Sequence, residues 1–325
     1  MLVTGGTGSI GSELVRNILD YPVRQLRIFS RDEHKQFMLK QELSSHPNKD
    51  LLSFLIGDIR DRDRVFLSME GVNLVFNAAA MKHVPICEYN PFEAVKTNVL
   101  GTQNLVDAAR NHDVDKFIHV STDKAAMPIN VMGATKLLAE KIAVTAEHYK
   151  GAKKTLFSAV RFGNVFGSRG SVVPIFLEQI KKSGPLTLTD REMTRFMMSI
   201  PQAVELLLKA TLLSKGEELF ILKMPVMRIE DLAKAMIEIF APKYGNKASA
   251  VRIEITGRRN GEKIYEVLLT EDEGEVVWEN EEMLCVSKKP LEGFSPSKIK
   301  SYRSDKCEIM DYKSVLEYLK KAVNV

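Results

Sequence analysis

The segment Val120–Lys136, VSTDKAAMPINVMGATK, gathers groups that exchange protons: the Ser121 and Thr122 hydroxyls, the Asp123 carboxylate and the Lys124 amine. They follow an apolar run, Lys116–Val120, that reads as a strand. A loop containing Pro128 comes next, and a helix is expected to start near Asn130. That helix carries Met132 and Lys136, whose spacing of four puts both on one face. Polar side chains at the C-terminal end of a strand sit where open α/β sheets bind ligands. The segment therefore reads as a reaction centre, and the rest of the chain as what positions and supplies it.

The elements around it alternate. Met1–Thr4 reads as the end of a buried strand, followed by Gly5-Gly-Thr7-Gly8-Ser9-Ile10-Gly11 and a helix over Ser12–Leu19. Glycines there let the backbone turn tightly and approach a pyrophosphate, whose charge then sits at a helix N-terminus. A strand before, a helix after and a second strand on schedule make this a dinucleotide site. The second strand, Arg24–Ser30, ends on Ser30-Arg31, with Lys35 a turn later. An NAD site would usually place an acidic residue here for the ribose hydroxyls. A hydroxyl and two cations suit a 2′-phosphate instead, so the cofactor is expected to be NADP. The alternative makes Asp32 the ribose ligand and Arg31 a solvated charge.

Asp58 and Ile59, after a third strand over Leu51–Ile56, are expected at the adenine. Ala78, Ala79 and Ala80, after a fourth strand over Val72–Phe76, leave room for a cofactor, and Lys82 follows them. The lone His83 is read as structural. A helix over Glu93–Asn111 carries Asn98, which is counted with the cofactor-binding residues; a polar residue on that apolar face needs a partner such as a strand end. A helix to Tyr149 and a sixth strand, Thr155–Val160, complete the alternation. Together these predict a doubly wound parallel α/β sheet of the Rossmann kind.

After Val172 the strict alternation fails. Helices are expected over Pro174–Lys182, Ile200–Leu213 and Ile229–Phe240, with strands at Pro185–Thr189 and Glu218–Leu222. Ser199 is expected to cap the second of these helices. The expected division is a dinucleotide-binding domain over 1–165 and a smaller, partly interleaved C-terminal α/β substrate lobe over 166–325. The acidic run Glu271–Glu282 reads as a solvated surface segment, and Asp311–Ala322 as a short amphipathic helix.

Composition is that of an ordinary globular protein: 45% apolar, 27% charged and a net charge of +4 over 325 residues. With no basic stripe interleaved with aromatics, nucleic acid is not an expected partner. The three cysteines are widely spaced without a CxxC, which argues against a disulfide framework or zinc site and fits a cytoplasmic location. No apolar run is long enough to span a bilayer, so no membrane partner is expected. Residues are expected to precede Met1 in the natural protein, because the chain opens directly on a strand.

Taken in order, GGTGSIGSELV, IFSRDEHKQ, GDIRD, NAAAMKHVPICEYNPFEAVKTNVLGTQNL, VSTDKAAMPINVMGATK, VRFGNVFGSRGSVVPIF, MTRFMM and GRRNGEKIYEVLL resemble the inverting UDP-N-acetylglucosamine 4,6-dehydratases. These are extended short-chain dehydrogenases/reductases of surface-polysaccharide and glycan synthesis. The resemblance covers roughly residues 1–270. It implies C4 oxidation by NADP, elimination of water across C5 and C6, and return of the hydride to C6, with inversion at C5. It further implies that Lys124 removes the C5 proton and Asp123 protonates the departing hydroxyl. A lysine base needs its pKa lowered from about 10.4 towards 7 or 8.

The chain departs from the broader superfamily at Met132, where the usual YxxxK has a tyrosine. A thioether is no proton carrier, so the C4 proton is left to Thr122, Lys124 or water. Lys136 keeps the cofactor-ribose role. The resemblance assigns UDP-N-acetylglucosamine to Lys82, Asn164, Arg169, Ser171, Val172, Arg195, Arg258 and Glu262. A homo-oligomer is expected, since many proteins of this fold bury a helix pair between subunits. Two other readings stand beside this one: a UDP-hexose 4-epimerase or 4-reductase, and an NADP-binding protein without turnover.

Overall fold

The computed structural model describes residues 1–258 and 261–322. Arg259 and Asn260, within the GRRNGEK motif, lie outside the described residues. The first half of the chain runs β1 (Leu2–Thr4), α1 (Ser9–Ile18), β2 (Leu26–Ser30), α2 (Glu33–Glu42), β3 (Leu52–Ile56), α3 (Arg62–Met69) and β4 (Leu74–Asn77). It continues through α4 (Val84–Tyr89), α5 (Pro91–Ala94), α6 (Gly101–Asn111), β5 (Lys116–Val120), α7 (Val131–Tyr149) and β6 (Leu156–Arg161). The second half adds β7 (Asn164–Val165), α8 (Val172–Lys181), β8 (Leu186–Leu188), β9 (Thr194–Met198), α9 (Ile200–Leu213), β10 (Leu219–Leu222), β11 (Val226–Arg228) and α10 (Ile229–Phe240). The chain ends with β12 (Ile253–Ile255), β13 (Val267–Leu269), β14 (Val277–Glu279), β15 (Met283–Val286), β16 (Ser295–Pro296), β17 (Tyr302–Arg303) and α11 (Tyr312–Ala322).

The central sheet has the order β16-β14-β15-β10-β6-β5-β4-β1-β2-β3. From β3 to β10 every pairing is parallel, the doubly wound arrangement expected. β15 closes against β10 antiparallel. Strands from both sides of residue 165 thus share one sheet. Strand order reverses between β1 and β4, and such a switch point opens a crevice at the carboxyl ends of the strands.

The buried strands are apolar on both faces, as in Leu2–Thr4 and Leu219–Leu222, because helices cover both sides. A separate apolar cluster holds the second lobe together, built from Phe166, Phe176, Leu186, Met197, Leu232 and Met236. Helix α9 starts on a capping box in which Ser199 and Gln202 satisfy each other's backbone N–H groups.

Two stretches differ from expectation. The single helix over Glu93–Asn111 is α5, a π-helical segment at Val95–Leu100, then α6. Asn98 lies in the π-helical segment, where its amide accepts from Met81 N at 2.7 Å and donates to Met81 O at 3.1 Å. Wide turns of this kind gather at functional sites, and this one lets a helix side chain hold the loop after β4. The acidic run is not merely solvated. Glu273 ion-pairs with buried Arg161 at 2.8 Å, and Glu279 and Glu282 pair with Lys223 and Lys209. Among the described residues no helix is long and apolar enough to cross a membrane.

Candidate active site

A cleft of about 1240 Å³ runs across the carboxyl ends of β1, β2, β4 and β5 and into the second lobe. At one end is the glycine loop. Gly5 has φ +64°, a left-handed conformation that disfavours side chains. A Cβ on Gly11 would lie 2.3 Å from the Gly5 carbonyl oxygen, so the helix packs on the loop with no room to spare. Helix α1 is capped by Gly8 with no side-chain hydrogen bond. Its first N–H groups therefore face the cleft as an anion site. The Gly11→Ala variant is expected to lose at least about tenfold in NADP affinity, corresponding to about 1.4 kcal/mol, as read by fluorescence titration. Unchanged affinity would mean that this loop does not hold the pyrophosphate.

Ser30, Arg31, Asp32, Lys35, Asp58, Ile59, Ala78, Ala79, Ala80 and Lys82 line the same end. Asp32 caps α2, and its carboxylate also holds the Lys35 ammonium. Arg31 stands 3.7 Å from Asp58, which Arg60 engages more closely. Asn98 is not part of the lining. It acts from behind, through the Met81 backbone, with a further hydrogen bond to Thr135.

The centre of the cleft is the turn after β5. Its backbone is set by Thr122, whose hydroxyl accepts from Lys124 N at 3.4 Å and donates to Asp123 Oδ1 at 2.7 Å. Lys124 Nζ donates to the same oxygen at 3.0 Å and to Asn164 Oδ1 at 3.4 Å. Asp123 is fully buried, and its Oδ2 has no hydrogen-bond partner among the described residues. Lys124, Thr122, Met132 and Lys136 reach the cleft, whereas Asp123 lies behind them.

Met132 is buried in a small cluster with Cys87 and Ala94. Asn130 caps α7 through Gly133 N and donates to Gly261 O at 2.9 Å, which ties the second lobe to α7. Lys136 donates to Val120 O at 2.7 Å and stands 3.3 Å from His119 Nε2. Burial lowers its pKa to about 8, against the opposing charge of Glu140. Burial and Lys136 together push the His119 pKa well down, which keeps that ring neutral.

The protonation state of Lys124 runs against expectation. Burial disfavours its ammonium, but the charges of Asp123 and Glu266 outweigh burial and the opposing Arg195, and the pKa rises. Lys124 therefore rests as a cation. Lys82 moves the other way, lowered by burial and by the neighbouring charges of Arg169 and Lys124.

The substrate-lobe residues are dispersed. Asn164, Arg169, Ser171, Val172, Arg195 and Glu262 line the cleft. Ser171 caps α8 without a side-chain hydrogen bond, and its buried hydroxyl has no partner among the described residues. The start of α8 is thus a second set of free N–H groups facing the cleft. Arg169 reaches back to the Thr7 carbonyl and so bridges this lobe to the glycine loop.

Arg195 is mostly consumed by backbone, donating to the carbonyls of Thr194, Ile264 and Lys263. It clamps the segment carrying Lys263 and Glu266 in place. Arg258 is outside the lining, 3.8 Å from Asp190. Sequence reasoning missed Glu266 and Lys263, which both line the cleft. The available signal was a glutamate set directly against the wholly apolar strand Val267–Leu269.

Comparison with known proteins follows the same lines. The family model described as "Polysaccharide biosynthesis protein" matches residues 1–288. A Campylobacter jejuni protein named UDP-N-acetylglucosamine 4,6-dehydratase (inverting) is 43% identical over 88% of this chain and 82% of its own length. A Rickettsia rickettsii protein named UDP-glucose 4-epimerase is 43% identical over 84% of this chain and 78% of its own. Among solved structures, Pen from Bacillus thuringiensis superposes with a TM-score of 0.90 at 44% identity, covering 98% of this chain and 96% of that one. A dTDP-glucose 4,6-dehydratase from Streptomyces venezuelae solved with NAD shares the fold, with a TM-score of 0.70 at 22% identity over 81% of this chain and 86% of that one.

Proposed function

The chain belongs to the polysaccharide biosynthesis protein family, and from that premise we propose that it dehydrates UDP-N-acetylglucosamine to a UDP-4-keto-6-deoxy-hexosamine, with inversion at C5, for surface-glycan synthesis. It is an enzyme, a nucleotide-sugar dehydratase working with a nicotinamide dinucleotide, and NADP is the form we favour. The observation that carries the reading is the Asp123–Lys124 pair, joined at 3.0 Å and opening through Lys124 onto the cleft that also holds the glycine loop. C4 oxidation or epimerisation needs one proton acceptor for the C4 hydroxyl, whereas an elimination needs both a base and an acid.

The residues fit the cofactor. Gly5 and Gly11 let the loop pack tightly against its neighbours at the start of α1, whose free N–H groups would take the pyrophosphate, and Lys136 would meet the ribose. Arg31 and Lys35 beside Ser30 favour a 2′-phosphate, although Asp32 already pairs with Lys35. When bound, the nicotinamide supplies hydride acceptance from C4 and hydride return to C6.

The protein's own groups move the protons. Thr122, donating to Asp123, offers a path by which the C4 hydroxyl proton reaches that carboxylate. This answers the lack of a proton-bearing group at Met132. Asp123 then gives the proton to the leaving C6 hydroxyl, and Lys124 takes the C5 proton acidified by the C4 ketone. Asn164, Arg169 and the start of α8 at Ser171 and Val172 hold the UDP moiety, with Glu262 at its rim and Lys82 between sugar and cofactor.

The test is to incubate the protein with UDP-N-acetylglucosamine in deuterated water and record a mass spectrum. Loss of one water with one deuterium gained at C5 is expected, and NMR of the product should report the inverted C5. The Rickettsia relative's name favours a second reading, 4-epimerisation. An unchanged mass with an altered C4 configuration would establish that reading instead.

A further inference from the structure

The proton count of the site requires one more acceptor than Asp123. With a cationic Lys124 set between two carboxylates, Asp123 at 3.0 Å and Glu266 at 3.8 Å, the three groups hold one proton. Oxidation at C4 releases a second proton into this cluster through Thr122. Elimination then needs Asp123 protonated and Lys124 neutral. Whichever path the protons take, one of the two must pass to an acceptor other than Asp123 and Lys124, and at neutral pH a carboxylate is a better acceptor than water.

We propose that Glu266 is that group, a positioning residue that takes the Lys124 proton so that Lys124 can act as the C5 base. The step breaks a Lys124 N–H bond, forms a Glu266 O–H bond and neutralises both charges. It rests on the dehydratase reading above.

The geometry singles out Glu266. Its Oε1 is 3.8 Å from Lys124 Nζ, a gap that a small side-chain shift or one bridging water closes. Its Oε2 is buried and has no hydrogen-bond partner among the described residues, so a proton there costs no existing bond. The carboxylate is 3% exposed, at the cleft wall directly before β13. The groups that face it are Asp123 and Lys124 from the turn after β5, Arg195 from β9 and Lys263 from its own segment.

Burial first, and then the Asp123 charge, raise the proton affinity of Glu266 against the cations Lys124, Arg195 and Lys263. Arg195 stands 3.5 Å away and holds its segment through the backbone carbonyls of Lys263 and Ile264. The acceptor is thus fixed independently of its own charge.

The test compares wild type, Glu266→Gln and Glu266→Asp in full pH profiles of kcat and KM, with melting temperature and NADP titration as controls. Glu266 must be ionised to accept, so wild-type kcat should fall on an acidic limb lying above the ordinary carboxylate range. Glu266→Gln should lower kcat at neutral pH by about 10²-fold with KM nearly unchanged. Its acidic limb should vanish, and its rate should climb into alkaline pH, where Lys124 loses its proton to solvent. Glu266→Asp should keep the acidic limb and recover part of the rate.

A Glu266→Gln enzyme with the wild-type profile overturns the proposal alone. Loss of kcat, KM and melting temperature together, with Glu266→Asp no better, makes Glu266 a scaffold and also overturns it. A wild-type enzyme that releases no water overturns the underlying reading, and the proposal with it.

Discussion

Replacing Lys124 by alanine is expected to lower the dehydration rate by about 10²- to 10⁴-fold, the usual worth of a positioned proton-transfer group, while C4 oxidation persists. The reason lies in the division of labour. C4 oxidation needs the cofactor and an acceptor for the hydroxyl proton, and Thr122 hydrogen-bonded to Asp123 at 2.7 Å provides one. In the proposed mechanism deprotonation at C5 falls to Lys124, whose amine meets the cleft. The variant should therefore accumulate reduced nicotinamide in a single turnover, seen as an absorbance rise, with no loss of water by mass. Asp123→Asn should not behave this way, because it removes the terminus of the C4 proton path as well as the acid for C6. A Lys124→Ala enzyme dehydrating within a few-fold of wild type would remove Lys124 from the mechanism.

Arg161→Met is the substitution expected to cost the most stability, about 3–5 kcal/mol, or a fall in Tm on the order of 10 °C. The Arg161 side chain is fully buried at the end of β6. Its guanidinium meets Glu140 of α7, Glu273 of the C-terminal segment and the Leu268 carbonyl at 2.8 Å. Glu140 in turn accepts from Ser121 at 2.5 Å, one residue before Thr122. Removing the cation leaves the buried Glu140 and the partly buried Glu273 carboxylates without it, beside the turn after β5. Converting all three to apolar residues, with Glu140→Leu and Glu273→Leu added, should recover much of the loss.

Acid should reveal the same contact. Burial works against the Glu273 charge, but Arg161 prevails and brings the pKa from 4.5 to about 2. A carboxylate depressed in the fold stabilises above its unfolded value, and that stabilisation is lost as pH falls towards about 2. Melting temperature in wild type should therefore fall over this window, and the Arg161→Met variant should show a flatter decline. A single variant melting within 2 °C or so of wild type, less than about 1 kcal/mol, would mean that the triad does not join these elements.

Much of the molecule is legible in local patterns. Ile200–Leu213 and Ile229–Phe240 form helices at the bounds expected from their apolar spacing and, for the first, from its Ser199 cap. The glycine loop, the catalytic turn and the start of α7 lie where residue types and spacing put them, because turns, caps and glycine conformations depend on a few adjacent residues. The π-helical segment at Val95–Leu100 could not be read this way. It depends on Asn98 finding the Met81 backbone, a partner from another element. Arg195 looked like a phosphate ligand by type, yet carbonyls from residues 263 and 264 claim most of its donors.

Residue order alone thus pointed to the parallel sheet and the dinucleotide loop and, through the family resemblance, to the proposed acid–base pair, each carried by neighbours in the chain. The partners of that pair and its resting charge came from folding, which brings Glu266 to within 3.8 Å of Lys124. It likewise brings Glu273 onto Arg161, 112 positions away along the chain. A pKa is set by burial and by charges within a few ångströms. Burial and the charge of Glu266 arise only when distant segments pack, so the Asp123–Lys124 pair could be picked out along the chain, while Glu266, which adds to Asp123 in holding the lysine cationic, could not.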